Sequence, residues 1–132
     1  MAELEAVLES ALYVEDLARA VAFYRDVLGL RLISEFENRR GVALRVGSSI
    51  LLLFRADETS KQAEPAPHGA RGPGHVAFRV APVQMDEWRR RLNERGVRIE
   101  HEQRFGDNPP SVYFRDPDGN LLELAVASIW SP

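Results

Sequence analysis

The chain has 132 residues, 45% of them apolar, with no cysteine and a formal net charge of −3. That length fits one domain with a real core, and the mixed-sign, slightly acidic surface argues against a nucleic-acid partner. Without cysteine, disulfides, thiolate metal sites and a cysteine nucleophile are excluded, so any metal must be held by His, Asp or Glu.

No apolar run approaches the roughly 18 residues that span a bilayer. The acidic opening "MAELEAVLES" differs from the basic, then apolar pattern of a secretory signal. A cytoplasmic protein with no membrane partner is therefore expected.

In chain order, "VLESALYV" alternates Leu8, Ser10, Leu12 and Val14 with Glu9, Ala11 and Tyr13, which predicts a two-faced strand. Asp16 caps the predicted helix "LARAVAFYRDVLG", with Leu17, Ala20, Val21, Tyr24 and Leu28 at helical spacing and Gly29 as terminator. "LRLISEF", "GVALRVG" and "SILLLF" predict three strands. Residues 56–73, "ADETSKQAEPAPHGARGP", are polar, rich in Pro and Gly and aperiodic, and are expected to form a loop. After it come a strand "GHVAFRV", a helix "VQMDEWRRRLNERG", a strand "VRIEHEQRF" and a hairpin "SVYFRDPDGNLLELA". In the hairpin turn, Pro117 supplies a fixed φ and Gly119 a positive one.

The order βαβββ thus occurs twice, and the two copies align. Glu9 matches His75 at a spacing of 66, Gly29 matches Gly96 at 67 and Arg45 matches Arg115 at 70. One extra residue in the second turn then pairs Leu52 with Glu123.

Alternate strand residues share a face. Leu8, Leu12 and Val14, Val76, Phe78 and Val80, and Leu122 and Leu124 form the rows expected beneath the helices. Glu9, His75 and Glu123 then look away from the helices and are expected to converge. Two carboxylates in one partly dry cavity repel unless one is protonated or a cation lies between them. A divalent metal removes that conflict.

The stretches "LYVEDLARAVAFYRDVLGLRL", "GPGHVAFRV" and "FRDPDGNLLEL" together resemble the vicinal oxygen chelate superfamily, which includes glyoxalase I, bleomycin and fosfomycin resistance proteins and extradiol dioxygenases. The resemblance implies an α+β fold. Its two βαβββ modules, about 5–55 and 73–127, would be joined by the loop 56–72 into one domain, 1–132. They would build a curved, mostly antiparallel eight-stranded sheet with helices on its convex face. It implies a divalent metal on Glu9, His75 and Glu123, and a homodimer whose sites draw on both chains. The position of Glu9 is usually His in the family, and Leu52 stands where glyoxalase I has a fourth ligand, which argues against glyoxalase I itself.

One imidazole and two carboxylates favour Fe²⁺, Mn²⁺ or Zn²⁺, with Mg²⁺, Ni²⁺ and Co²⁺ as further candidates. The resemblance gives Tyr113 a place beside the metal shell, donating to an anionic substrate oxygen, and matches Ser111 to a substrate-contacting serine of fosfomycin enzymes. Against thiol transfer to fosfomycin stand Ala11, where those enzymes carry threonine, and the lack of a counterpart to their cation-binding loop. Against ring cleavage stands the placement of His68 and His101, expected in loop or surface roles.

Three functional readings compete. The preferred one is a metal-dependent enzyme acting on a small oxygen-rich substrate by isomerase, lyase, transferase or dioxygenase chemistry. The second is a metal-free antibiotic- or metabolite-binding protein with a cavity lined by Tyr13, Phe54, Tyr113 and Trp130. The third is a regulatory or vestigial ligand-binding module.

Overall fold

In the computed structural model, which describes residues 1–131, the first unit is Met1–Arg71. It contains strand β1 (Glu9–Tyr13), helix α1 (Leu17–Asp26) and strands β2 (Arg31–Glu35), β3 (Gly41–Val46) and β4 (Ser49–Phe54). The sheet order is β1-β4-β3-β2, with β1 parallel to β4 and the other pairs antiparallel. The meander β2–β3–β4 uses short connections, whereas the parallel pair needs the longer route through α1.

The side chain of Asp16 accepts the Arg19 N–H at 3.0 Å and caps α1. At the other end the Gly29 N–H donates to the Arg25 carbonyl and the Leu30 N–H to the Tyr24 carbonyl, both at 3.0 Å, satisfying the last carbonyls of the helix. Ala20 and Tyr24 are fully buried, and Leu12, Val14, Leu44, Leu51 and Leu53 complete the core of this unit. Each such leucine is worth about 2 to 3 kcal/mol in burial. Leu8 departs from the expected row: β1 begins one residue later, and Leu8 is 72% exposed.

Gly41 opens β3 where the backbone meets a ring. A Cβ there would lie 2.5 Å from Cδ1 of Phe54 and 2.8 Å from the Leu53 carbonyl oxygen. The segment read as loop carries a short helix α2 (Ala56–Thr59). Its final residue, Thr59, is fully buried and its hydroxyl donates to the Arg55 carbonyl at 3.3 Å. A single turn tied down at one end is too short to leave a periodic signal in sequence.

The second unit, from Gly72 onward, has strand β5 (His75–Arg79), helix α3 (Met85–Glu94) and strands β6 (His101–Gln103), β7 (Ser111–Arg115) and β8 (Leu121–Ala125). Its order, β5-β8-β7-β6, repeats that of the first unit. Val112, Phe114, Leu122 and Leu124 are buried, as are Met85 and Leu92 of α3.

The eight strands of the expected α+β fold form two mixed sheets of four, one in each unit. The strand expected across "VRIEHEQRF" shortens to three residues, since β6 is an edge strand paired only with β7. Among the described residues no helix is long and apolar enough to cross a membrane.

Candidate metal centre

The second unit builds its polar site outward from the turn between β7 and β8. Asp116 and Asn120 are buried, at 4% and 2% exposure, so their polar atoms need partners. One Asp116 carboxylate oxygen accepts the N–H groups of Asp118 and Asn120, both at 2.9 Å, and the other accepts the Asn120 side-chain amide at 2.9 Å. Asn120 Oδ1 accepts the Gly74 N–H at 2.8 Å, and the Leu121 N–H donates to the Gly74 carbonyl at 2.9 Å. The turn thereby fixes the residue before His75.

His75 is clamped a second time. Its Nδ1 lies 2.9 Å from the Leu121 carbonyl; a carbonyl can only accept, so Nδ1 carries the proton and a neutral ring presents its lone pair at Nε2. That Nε2 lies 3.3 Å from Glu123 Oε1, and the Glu123 side chain is only 8% exposed. A carbonyl holding the far nitrogen of an imidazole is the usual way a metal-binding histidine is oriented. His75 Nε2 and the Glu123 carboxylate are donors of the types that divalent cations take.

Register extends the site across the sheet. Glu123 pairs with Ala77 on β5 and Tyr113 on β7, and Tyr113 pairs with His101 on β6, so these side chains share one face. The Tyr113 ring stacks near His75 at 6.4 Å between centroids and lies 6.1 Å from His101. Burial pushes the Tyr113 phenol up, and the negative charge of Glu123 and its hydrogen bond push it further in the same direction. It stays a proton donor at neutral pH. The Ser111 hydroxyl is buried and makes no hydrogen bond of full geometry, although it lies near enough to Tyr113 to offset part of that rise. Ala77 is small, leaving space beside Glu123.

His101 was expected in a loop or at the surface. It is exposed, but it heads β6 and faces the Tyr113 row, with Nε2 3.1 Å from Gln103 Oε1. Counting back through the hairpin register would have placed it, because His101 and Gln103 alternate opposite Tyr113 and Ser111.

The first unit holds the other candidates. Glu9 is exposed at the start of β1. Leu52 pairs with Ala11 and Ala43 as Glu123 pairs with Ala77 and Tyr113, so apolar residues occupy the first-unit counterparts of Glu123 and Tyr113. Tyr13 and Phe54 join an aromatic cluster with Phe36 and His68, in which the Tyr13 hydroxyl lies 2.7 Å from His68 Nδ1. Burial raises the Tyr13 phenol as well. Trp130 is 88% exposed. Among the described residues no group of three or more His, Asp or Glu side chains is gathered closely enough to hold a metal ion.

Comparison with known proteins extends the likeness over nearly the whole chain. Glutathione transferase FosA of Serratia marcescens is 31% identical over 126 residues, covering 96% of this chain and 84% of its own. Metallothiol transferase FosB of Staphylococcus haemolyticus is 29% identical over 117 residues, covering 88% and 79%. Among solved structures, lactoylglutathione lyase from Agrobacterium tumefaciens superposes with a TM-score of 0.91 at 36% identity, covering 98% of both chains. Residues 6–124 match the family model of the Glyoxalase/Bleomycin resistance protein/Dioxygenase superfamily, and the chain belongs to that superfamily.

Proposed function

We propose that this metal-dependent enzyme of the superfamily holds one divalent cation on Glu9, His75 and Glu123 and acts on a small substrate that offers it adjacent oxygen atoms. The observation that carries the reading is the clamped His75, whose Nε2 points toward a nearly buried carboxylate while Leu121 holds Nδ1. The set of one imidazole and two carboxylates favours Fe²⁺, Mn²⁺ or Zn²⁺. When bound, the cation supplies Lewis-acid polarisation of the substrate.

The chain's own residues supply the rest. Tyr113, kept protonated, donates a hydrogen bond to an anionic substrate oxygen. Ser111, buried without a well-formed partner, donates a second. Ala77 leaves the volume for the substrate. Two of the relatives carry glutathione in their names and a third a metallothiol, so addition or removal of a thiol is the reaction class to assay first.

The protein works as one two-module domain in the cytoplasm and as a homodimer. One observation supports a shared site: Glu9 lies exposed on the edge strand β1. Each site takes Glu9 from one subunit and His75 with Glu123 from the other.

Elemental analysis of tag-free protein after reconstitution tests the reading. Wild type is expected to hold about one ion per chain, and His75→Ala and Glu123→Ala to bind at least about tenfold more weakly. If wild type retains no divalent metal at micromolar concentrations, the reading fails and metal-free binding takes its place.

A further inference from the structure

Helix α1 and the β2–β3 hairpin line an open cavity of about 430 Å³, within the first unit and lined by none of the residues assigned to the metal centre. That volume lies in the range of small-molecule sites, roughly 300 to 1,000 Å³. Leu17 and Val21 of α1 face it, as do Leu32 of β2 and Val42 of β3, so its body is apolar. Its charged lining consists of Arg25, Glu35 and Arg39. Arg25 is already bound to Asp26 at 2.9 Å. Glu35 and Arg39 have no ion-pair partner among the described residues.

Arg39 is also held in an unusual backbone state. Asn38 and Arg39 have φ values of 60° and 51°, in the left-handed region that arginine rarely adopts. The surroundings impose it: the Phe36 N–H donates to the Gly41 carbonyl at 2.9 Å, the Arg55 N–H to the Arg40 carbonyl at 2.8 Å, and the Arg55 guanidinium to the Arg39 carbonyl at 3.3 Å. Backbone strain kept in place by its neighbours clusters at ligand clamps. Here it accompanies one free cation and one free anion on the wall of an apolar slot.

We propose that this cavity binds a zwitterionic α-amino acid with a branched or aromatic apolar side chain. Its carboxylate lies on Arg39, its ammonium group on Glu35 and its side chain among Leu17, Val21, Leu32 and Val42. Charge matching selects the zwitterion: a simple carboxylate leaves Glu35 facing a like charge, and a simple amine does the same to Arg39.

The test is an amide-resolved NMR titration of the whole chain with L-leucine, its deaminated analogue 4-methylpentanoate and its decarboxylated analogue 3-methylbutylamine. Leucine is expected to give saturable shifts on α1, β2 and β3, with each analogue at least about tenfold weaker for loss of one charge-assisted contact. Glu35→Gln should erase the preference over 4-methylpentanoate, and Arg39→Gln the preference over 3-methylbutylamine. Ala18→Trp, a change at an exposed lining position, should block binding while leaving the thermal midpoint in place. The proposal is overturned if leucine and 4-methylpentanoate bind equally, if the shifts centre on the second unit, or if leucine does not saturate by about 10 mM, tenfold above a millimolar dissociation constant.

Discussion

Asp116 shows how a single side chain sets the geometry of a distant histidine. Its carboxylate satisfies three donors inside the turn, and Asn120 passes the constraint to Gly74, beside His75. Asp116→Ala leaves buried donors unpaired, and a loss of about 2 to 3 kcal/mol is expected in urea unfolding. Asn120→Ala should also weaken metal binding, by about 10- to 100-fold, and His75→Ala, which removes the imidazole itself, should weaken it at least as much. The turn was legible in "DPDGN". The link from Asn120 back across 46 residues to Gly74 was not, because no local pattern encodes which backbone group a buried amide will meet. Glu100 gives a pH-dependent case. The Arg115 guanidinium forks onto it at 2.7 and 3.0 Å and holds its carboxyl below the usual range. A depressed folded value stabilises the fold above the unfolded carboxylate range, and that stability is lost as pH falls through the folded value. Glu100→Gln should therefore flatten the acid limb of stability below about pH 4.5 in urea midpoints measured across pH, with a small amplitude because the pair is exposed.

At the scale of elements, periodicity marked α1 and α3 clearly, since each has a polar outer face and a few deeply buried positions. Asp16→Ala removes the α1 cap, and a loss of about 1 kcal/mol is expected in chemical unfolding. Edge elements were harder to read. β6 has a single neighbour and keeps only three residues. The approach of Gly41 to Phe54 is likewise invisible in sequence, although it constrains the chain strongly. Gly41→Val should lower the melting temperature by several degrees, as the Leu53 carbonyl, unlike a flexible side chain, cannot move aside.

For the whole molecule, the proposed sharing of sites between subunits has a quantitative signature. Glu9→Ala and Glu123→Ala proteins, unfolded together and refolded, form mixed dimers in about half of cases by random pairing. If ligands come from different subunits, one site in each mixed dimer is complete, so metal content should recover to about a quarter of wild type; sites built within one chain recover nothing. The sequence by itself determined the βαβββ order, its repetition and the residue types available to a metal, because alternation, helical spacing and turn chemistry are local properties of the chain. It also singled out Glu123, through the contrast with Leu52. Only the tertiary structure decided that His75 turns its free nitrogen toward Glu123, that His101 faces the Tyr113 row, and that α1 and the β2–β3 hairpin leave a charged, apolar-walled cavity. Those facts depend on which backbone groups and side chains meet across strands far apart in sequence, and packing selects those meetings.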